Sequence, residues 1–448
     1  MTKISEVERF PREKHGAKAA NLEAVGGIID EVATEIGTGE LIVPEFIALS
    51  SDTFDSWKYK RPQTGELYEA YKWMKQVGLD SRWMVRSSAV LSEDDGDHMA
   101  AGVYESVMLP RNFTSAGFFK AVKQVYESTD SEAAKNYMQS IGIDPDDEKM
   151  GIVLQKVPEG VEQFITCNTV IPGNTNLSTA HTELARDRVE DIIRLRDANL
   201  TFSKKGLENL IDEGRRPHVS DPVAEMFFVP PDFRILGVYE VGSVTYSAMA
   251  STSLARHFDK DIQTEIVSTE TGLNIVQARP LPESMVYDEE FCGFPDEGHP
   301  VYAGRANKVM NGVTAICEQK ERHDFTFTAM TALDDIAEST PELNQLIAFD
   351  GSFARHGLLD DLNSMISMLN DEARSKLVFL VARAAEGSIT GGSGGHLETF
   401  FSEIGIPCVF YDPKITEYTH TQFVPQGKVR IYSNGVEARI YPAEKLAI

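Results

Sequence analysis

The residues with the clearest capacity for chemistry fall into three clusters. The first is Thr390-Gly391-Gly392-Ser393-Gly394-Gly395-His396, followed over 397–404 by a stretch with helical spacing. Glycines let the backbone turn tightly, so His396 is expected at or near a helix N-terminus, where free N–H groups and the helix dipole attract anions. Neutral imidazole is a competent nucleophile near physiological pH, which makes His396 a candidate to bear a phosphoryl group. The same residues equally describe a flexible glycine loop with an incidental surface histidine. The second cluster joins Lys18, in Gly16-Ala17-Lys18-Ala19-Ala20-Asn21-Leu22, to Arg86, in Val85-Arg86-Ser87-Ser88-Ala89. A point charge and a planar fork suit nucleotide phosphates, although either residue alone also fits an ordinary solvated cation. The third is Glu265 with Gln277 and Arg279, on two strand-like runs around Thr271-Gly272. A hairpin there brings a carboxylate and an amide oxygen onto one face, as hard Mg²⁺ requires alongside phosphate oxygens; an ordinary polar hairpin face has the same appearance.

These side chains need elements to hold them. Small and apolar residues over 14–28 predict a helix that stops at Gly26-Gly27. Apolar runs at 41–43 and 46–49, on either side of Pro44, predict two short strands. Trp83 to Ser88 reads as a strand leading into a polar acidic loop, Ser92 to Asp97, and 117–139 as one amphipathic helix. Gly151 to Gln155 reads as a buried strand, while 172–222 is polar, weakly periodic and without a motif. A strand at 273–280 closes on a proline, and 281–300, rich in Pro, Gly and acid, is the expected linker. Mostly helical patterns follow over 301–380, then apolar runs around the glycine cluster, and finally two strands around Asn434-Gly435, a strong hairpin signal.

With 448 residues, 42% of them hydrophobic and 25% charged, the chain has the composition of a globular protein of two or three domains. Lys and Arg total 43 against 69 Asp and Glu, a formal net charge of −26. A protein that tracks a nucleic-acid backbone needs clustered cations, so nucleic acid is not an expected partner. The cysteines Cys167, Cys292, Cys317 and Cys408 form no CxxC pair. No apolar run approaches a membrane span, and the N-terminal residues lack the apolar stretch of a signal peptide. A cytoplasmic protein with no membrane partner is the expectation.

The clusters occur in the order found in the ATP-grasp plus phosphohistidine proteins: phosphoenolpyruvate synthase, pyruvate phosphate dikinase and rifampin phosphotransferase. Gly16 to Leu22 resembles that family's GGKGANL, and Val43-Pro44-Glu45-Phe46 its VPPGF. Val85 to Ala89 with Glu93-Asp94 and Ala101 to Ser106 resembles VRSSA…ED…AGQxET, and Gly151 to Val157 the strand whose glutamine, here Gln155, lines the nucleotide pocket. Leu254-Ala255-Arg256 and then Glu265 to Pro280 resemble LAR…DIEW…LQARP, with Glu265 and Gln277 twelve residues apart as the family's metal ligands are. Gly391 to Pro407 resembles GGxTSHAAIxxRExGIP without a gap, which puts His396 on the phosphorylated histidine.

The resemblance implies an α/β (α+β) chain with an N-terminal ATP-grasp domain at 1–284, a linker at 285–300 and a C-terminal α/β swivelling phosphohistidine domain at 301–448. It implies ATP and Mg²⁺ as cofactors, with ATP held by Lys18, Arg86, Gln155 and Arg279 and the metal by Glu265 and Gln277. Lys18, Arg86 and Arg279 would then form a small cationic clamp, with most of the acid outside it. His396 would take phosphoryl or diphosphoryl from ATP, release AMP and pass phosphoryl to an acceptor that nothing in the chain identifies. The sequence departs from the pattern at Gly394-Gly395 for Thr-Ser, Leu397-Glu398 for the alanines, Ser402 for arginine, Val103 for glutamine and Gln263 for aspartate, and no GLGE segment is found between 160 and 200. A divergent nucleotide-binding protein that senses nucleotide, or binds and inhibits a partner without turnover, is therefore the alternative expectation.

Overall fold

In a computed structural model the described residues are 9–59, 65–94, 100, 103–170, 175–189, 192–215, 238–282, 291–295, 302–306, 308–317, 343–350, 368–382, 404–411, 427–435 and 437–443, with the single positions 333, 336, 362, 365, 366 and 401. The chain is a mixed α/β protein that divides into two compact units, one made of Met1–Cys167, Glu208–Pro217 and Thr245–Leu281, the other of Asn168–Leu207, His218–Val244 and Pro282–Ile448.

In the first unit, α1 (Arg12–His15) runs into α2 (Ala17–Glu35), and β1 (Leu41–Ile42) and β2 (Phe46–Leu49) follow on either side of Pro44. The expected stop at Gly26-Gly27 does not occur: α2 continues to Glu35. Two interior glycines cost about 1 kcal/mol each. Beyond them Val32, Ala33 and Ile36 keep the helical spacing and are buried, and a fully buried aliphatic side chain contributes roughly 1.5–3 kcal/mol. The helices α3 (Ser51–Lys58) and α4 (Gly65–Val77) precede β3 (Trp83–Ala89) and β4 (Ser106–Leu109). The segment read as one helix over 117–139 is α5 (Ser115–Glu127) and α6 (Glu132–Ser140), separated by a short 3₁₀ turn. Ser128 and Thr129 donate their hydroxyls to the Val125 and Tyr126 carbonyls at 2.6 and 2.7 Å, and Ser131 caps α6 by accepting from the Ala134 amide. Such short polar side chains compete with the helical ladder for backbone groups, which is why the helix breaks there.

The buried strand β5 (Met150–Lys156) pairs antiparallel with both β2 and β3, giving a four-stranded sheet in the order β2-β5-β3-β4. Trp83, Val85, Ile152 and Leu154 join Phe54, Phe118 and Tyr126 in one hydrophobic cluster. A second sheet of the same unit contains β6 (Val161–Asn168) and the hairpin of β9 (Ile262–Thr269) and β10 (Gly272–Pro280), with β1 parallel to β10. The hairpin expected around Thr271-Gly272 is thus present, and a bulge at Val276 puts Gln277 directly opposite Glu265 and Arg279 opposite Gln263.

In the second unit, β7 (Leu177–Val189) and β8 (Ile192–Ser203) form a long antiparallel hairpin in the region that carried no legible motif. Helices α7 (Lys204–Asp212) and α8 (Val238–Phe258) follow in the chain, and most of each belongs to the first unit. The remaining strands close a barrel in the order β11-β15-β14-β13-β12-β16-β17, namely β11 (Tyr302–Ala306), β12 (Val309–Cys317), β13 (Asn344–Asp350), β14 (Leu377–Ala382), β15 (Cys408–Tyr411), β16 (Gly427–Asn434) and β17 (Glu437–Pro442). The expectation of mostly helical structure over 301–380 is corrected by three of these strands and the start of a fourth. The apolar runs of β13 and β14 are buried on both faces, so periodicity cannot separate them from buried helix. In β14, Val378 and Leu380 enter one apolar cluster while Leu377, Phe379 and Val381 enter another with Phe401 and Ile406. The hairpin around Asn434-Gly435 is β16–β17, with Val429 and Ile431 turned to the core.

Gly16 anchors the start of α2. It has φ +78°, and a Cβ there would stand 1.9 Å from the Ser88 carbonyl oxygen, whereas a Cβ on Gly26 would meet nothing within 4 Å. Gly16→Ala should therefore destabilise the protein by more than about 2 kcal/mol, through left-handed strain and overlap. Gly26→Ala should stabilise it by about 0.5–1 kcal/mol. Urea unfolding of both variants checks this, and shifts of the same sign would contradict the packing.

Candidate functional site

Alternation along β9 and β10 places Gln263, Glu265, Gln277 and Arg279 on one face of the hairpin. Thr264 lies on the opposite face, where its hydroxyl meets Ser251 of α8 at 2.5 Å. Arg86 on β3 reaches the polar face from the other sheet, and Lys18 reaches it from the first turn of α2, which Ser88 holds by accepting the Ala19 amide proton at 3.1 Å. Lys18, Arg86, Gln155, Glu265, Gln277 and Arg279, far apart in sequence, are thus brought together within the first unit. His396 lies outside the described residues.

Lys18 is buried at 4% exposure. Its ammonium donates to the Ser87 carbonyl at 2.8 Å and to Glu93 Oε1 at 2.7 Å, and stands 3.9 Å from Asp94 Oδ2. Arg279 donates through NH1 to Asp94 Oδ1 at 3.0 Å and through Nε to Gln263 Oε1 at 2.9 Å, with NH2 on the same Gln263 oxygen. Asp94 also accepts from Gln277 Nε2 at 2.8 Å, while its carbonyl accepts from Asn21 at 3.2 Å. Asp94 adopts φ +53° to make these contacts, a left-handed conformation that Asp tolerates better than most residues.

Glu93 and Asp94 are the site residues to which sequence reasoning gave no role. The stretch from Ser92 was read as a polar acidic loop, yet Ser92, Glu93 and Asp94 are 0%, 5% and 1% exposed. The expected cationic clamp is corrected accordingly, because two carboxylates lie inside it. Uncompensated cations at this depth are too costly to hold, so buried charge demands a partner of opposite sign. The usable signal was the pair of acids seven and eight residues beyond an arginine on a strand.

Burial by itself would raise the Glu93 carboxyl. The neighbouring Lys18 ammonium, with hydrogen bonds from the Ala89 amide and the Ser87 hydroxyl, outweighs it and holds Glu93 below the usual carboxylate range. Asp94 goes the other way: burial, reinforced by the charge on Glu93, raises it despite Arg279 and Lys18.

Arg86 occupies the centre of the site. NH1 donates to Gln155 Oε1 at 3.0 Å and to the Val276 carbonyl at 2.7 Å, while NH2 donates to Gln277 Oε1 and stands 3.6 Å from Glu265 Oε2. The bulge at Val276 turns that carbonyl out of the ladder. Arg86 can only donate, so it fixes the Gln155 amide with its oxygen inward and its nitrogen away. Gln155 is 3% exposed, and among the described residues its Nε2 has no acceptor. The expected metal pair, Glu265 and Gln277, stands face to face across the hairpin, but the Gln277 oxygen and nitrogen are engaged by Arg86 and Asp94. In this arrangement the two residues do not fit a divalent cation. Among the described residues no group of three or more His, Cys, Asp or Glu side chains is arranged to hold a metal. A cavity of about 620 Å³ between Phe10, His15, Ile47, Glu66 and Trp73 shares none of these residues.

Residues 61–166 match the family described as pyruvate phosphate dikinase, AMP/ATP-binding domain. The matched segment contains Arg86, Glu93, Asp94 and Gln155, and excludes Lys18 and the β9–β10 hairpin. No curated protein matches the chain. Among solved structures, PH1788 from Pyrococcus horikoshii is similar at 15% identity with a TM-score of 0.31, over 58% of this chain and 89% of that one. ACD1 of Ca. Korarchaeum cryptofilum, in complex with coenzyme A, gives 14% and 0.28 over 57% and 90%. D-alanine–D-alanine ligase from Bacillus anthracis, complexed with ATP, gives 8% and 0.24 over 59% and 59%. Superpositions this loose carry no argument about fold or function. Among the described residues no helix is long and apolar enough to cross a membrane.

Lys18→Met should cost about 3–5 kcal/mol by leaving Glu93 buried without its cation, and adding Glu93→Gln should recover much of that loss. Because the Glu93 carboxyl is lowered, the stability it contributes is fully present above its ordinary value of 4.5 and is lost as pH falls through the lower folded value. The stability gap between wild type and Glu93→Gln should therefore narrow below that pH in denaturant titrations. A gap that widens on acidification would contradict the assignment.

Proposed function

We propose that the first unit binds ATP at the Arg86–Gln155 face, and that the chain is an ATP-dependent phosphotransferase of the dikinase type working through His396. The observation that carries the nucleotide reading is the Gln155 amide, a buried donor locked by Arg86 and lacking an acceptor, since a buried polar group left unmade costs about 1–3 kcal/mol. A ligand oxygen or ring nitrogen supplies the missing acceptor, and the Arg86 guanidinium beside it offsets phosphate charge. The match of residues 61–166 to an AMP/ATP-binding domain supports the same reading.

In this reading Lys18 and Arg279 act through Asp94 and Gln277, holding the face in shape, and Arg86 and Gln155 meet the nucleotide. An imidazole nitrogen of His396 bonds to the β-phosphorus as the bond from that phosphorus to the α,β-bridging oxygen breaks, and AMP leaves with the bridging oxygen. Rate enhancement comes from positioning and charge rather than from acid–base chemistry. The acceptor that later receives phosphoryl from His396 is a small molecule or a group in trans. No step is assigned to Mg²⁺, because Glu265 and Gln277 are engaged by Arg86.

A second reading is favoured by one observation, the match of buried carboxylates to cations in the site. A face that already balances its own charge suits a protein that senses nucleotide, or binds a partner, without turnover.

Incubation with β- or γ-labelled ATP separates the two. The dikinase reading predicts release of AMP and an acid-labile, alkali-stable label on the chain, abolished in His396→Ala while ATP binding persists. Tight ATP binding with neither AMP nor label would overturn it in favour of the second reading, and no ATP binding would overturn both.

A further inference from the structure

Four oxygens surround the Arg86 guanidinium: the Gln155 and Gln277 amide oxygens, the Val276 carbonyl and, at 3.6 Å, Glu265 Oε2. One carboxylate, two side-chain amides and a backbone carbonyl are the hard donors that a divalent cation collects from a protein. Here they converge on a cation that the chain itself supplies. The convergence is built by the backbone. The bulge exposes the Val276 carbonyl, the ladder sets Gln277 against Glu265, and Asp94 takes the Gln277 nitrogen at 2.8 Å so that its oxygen must face Arg86. Neither Lys18 nor Arg279 competes for these oxygens, since both are engaged by Glu93, Asp94 and Gln263.

We propose that the Arg86 guanidinium is the resident cation of the Glu265–Gln277 face and excludes free divalent cations from it. A guanidinium and a divalent ion cannot share four oxygens, because their like charges repel at such close range. A divalent ion gains access only when the guanidinium is drawn off by an anion. That last clause alone rests on the proposed nucleotide reading, where the anion is a phosphate group; the exclusion stands without it. Order of binding follows, with anion before metal.

The test is Mn²⁺ titration of the full chain without nucleotide, read by electron paramagnetic resonance of the free ion. Wild type should show no saturable site at submillimolar Mn²⁺. Arg86→Ala should bind at least tenfold more tightly, and Arg86→Ala with Glu265→Gln should lose that gain. Arg86→Lys, which keeps a cation on the same strand, should stay closed like wild type and guards against effects of lost packing. Submillimolar Mn²⁺ binding by wild type that Glu265→Gln abolishes would overturn the proposal, and this comparison needs no Arg86 variant to fold. Binding by Arg86→Lys equal to that of Arg86→Ala would overturn it as well, as would a folded Arg86→Ala with no gain. Nucleotide is absent from every arm, so these outcomes are independent of whether ATP is the ligand.

Discussion

Burial of Glu93 and Asp94 is the constraint on which the first unit depends. Two adjacent carboxylates withdrawn from water are tolerable only if cations and N–H groups surround them, and those groups come from three places in the chain. Lys18 comes from the start of α2, Arg279 and Gln277 from β10, and the Ala89 amide from the end of β3. These bonds tie α2, β3 and β10 to the same few atoms, so the helix start, the two sheets and the loop after β3 are held in one arrangement. Buried charge of this kind contributes specificity more than net stability, since desolvation offsets most of the Coulomb gain.

The same economy shapes the functional face. Lys18 and Arg279 are engaged by Glu93, Asp94 and Gln263, whereas the partners of Arg86 are neutral oxygens apart from Glu265. Gln155 and Gln277 differ in one respect that sets their roles. Gln277 has both ends of its amide engaged, so it is a strut between Asp94 and Arg86, whereas Gln155 has its nitrogen turned to no acceptor among the described residues. A site made in this way recognises acceptor atoms first and charge second.

Much of this was legible in the residues themselves. The alternation of Glu265 to Val267 and Ile275 to Gln277 around Thr271-Gly272 is a hairpin signature, and the structure has that hairpin; the apolar run of β5 and the Asn434-Gly435 turn were equally clear. Other parts were hidden for identifiable reasons. The bulge at Val276 leaves no trace in periodicity, yet it is what delivers a carbonyl to Arg86. Glu93 and Asp94 looked like solvated loop acids because burial depends on Lys18 and Arg279, which lie about 75 and 185 residues away. The two-sided burial of β13 and β14 erased the period that separates strand from helix, and Ser128 and Thr129 broke a helix whose apolar spacing continued through them.

The central claim is that Lys18, Glu93, Asp94 and Arg279 satisfy one another and leave the Gln155 nitrogen to take a ligand acceptor. A crystal structure of the chain with a non-hydrolysable ATP analogue tests it most directly. The account predicts an acceptor atom of the analogue within hydrogen-bond distance of Gln155 Nε2, with Lys18 still on Glu93 and Arg279 still on Asp94. An analogue held by Lys18 and Arg279 after they have left their carboxylates, with Gln155 untouched, would contradict it.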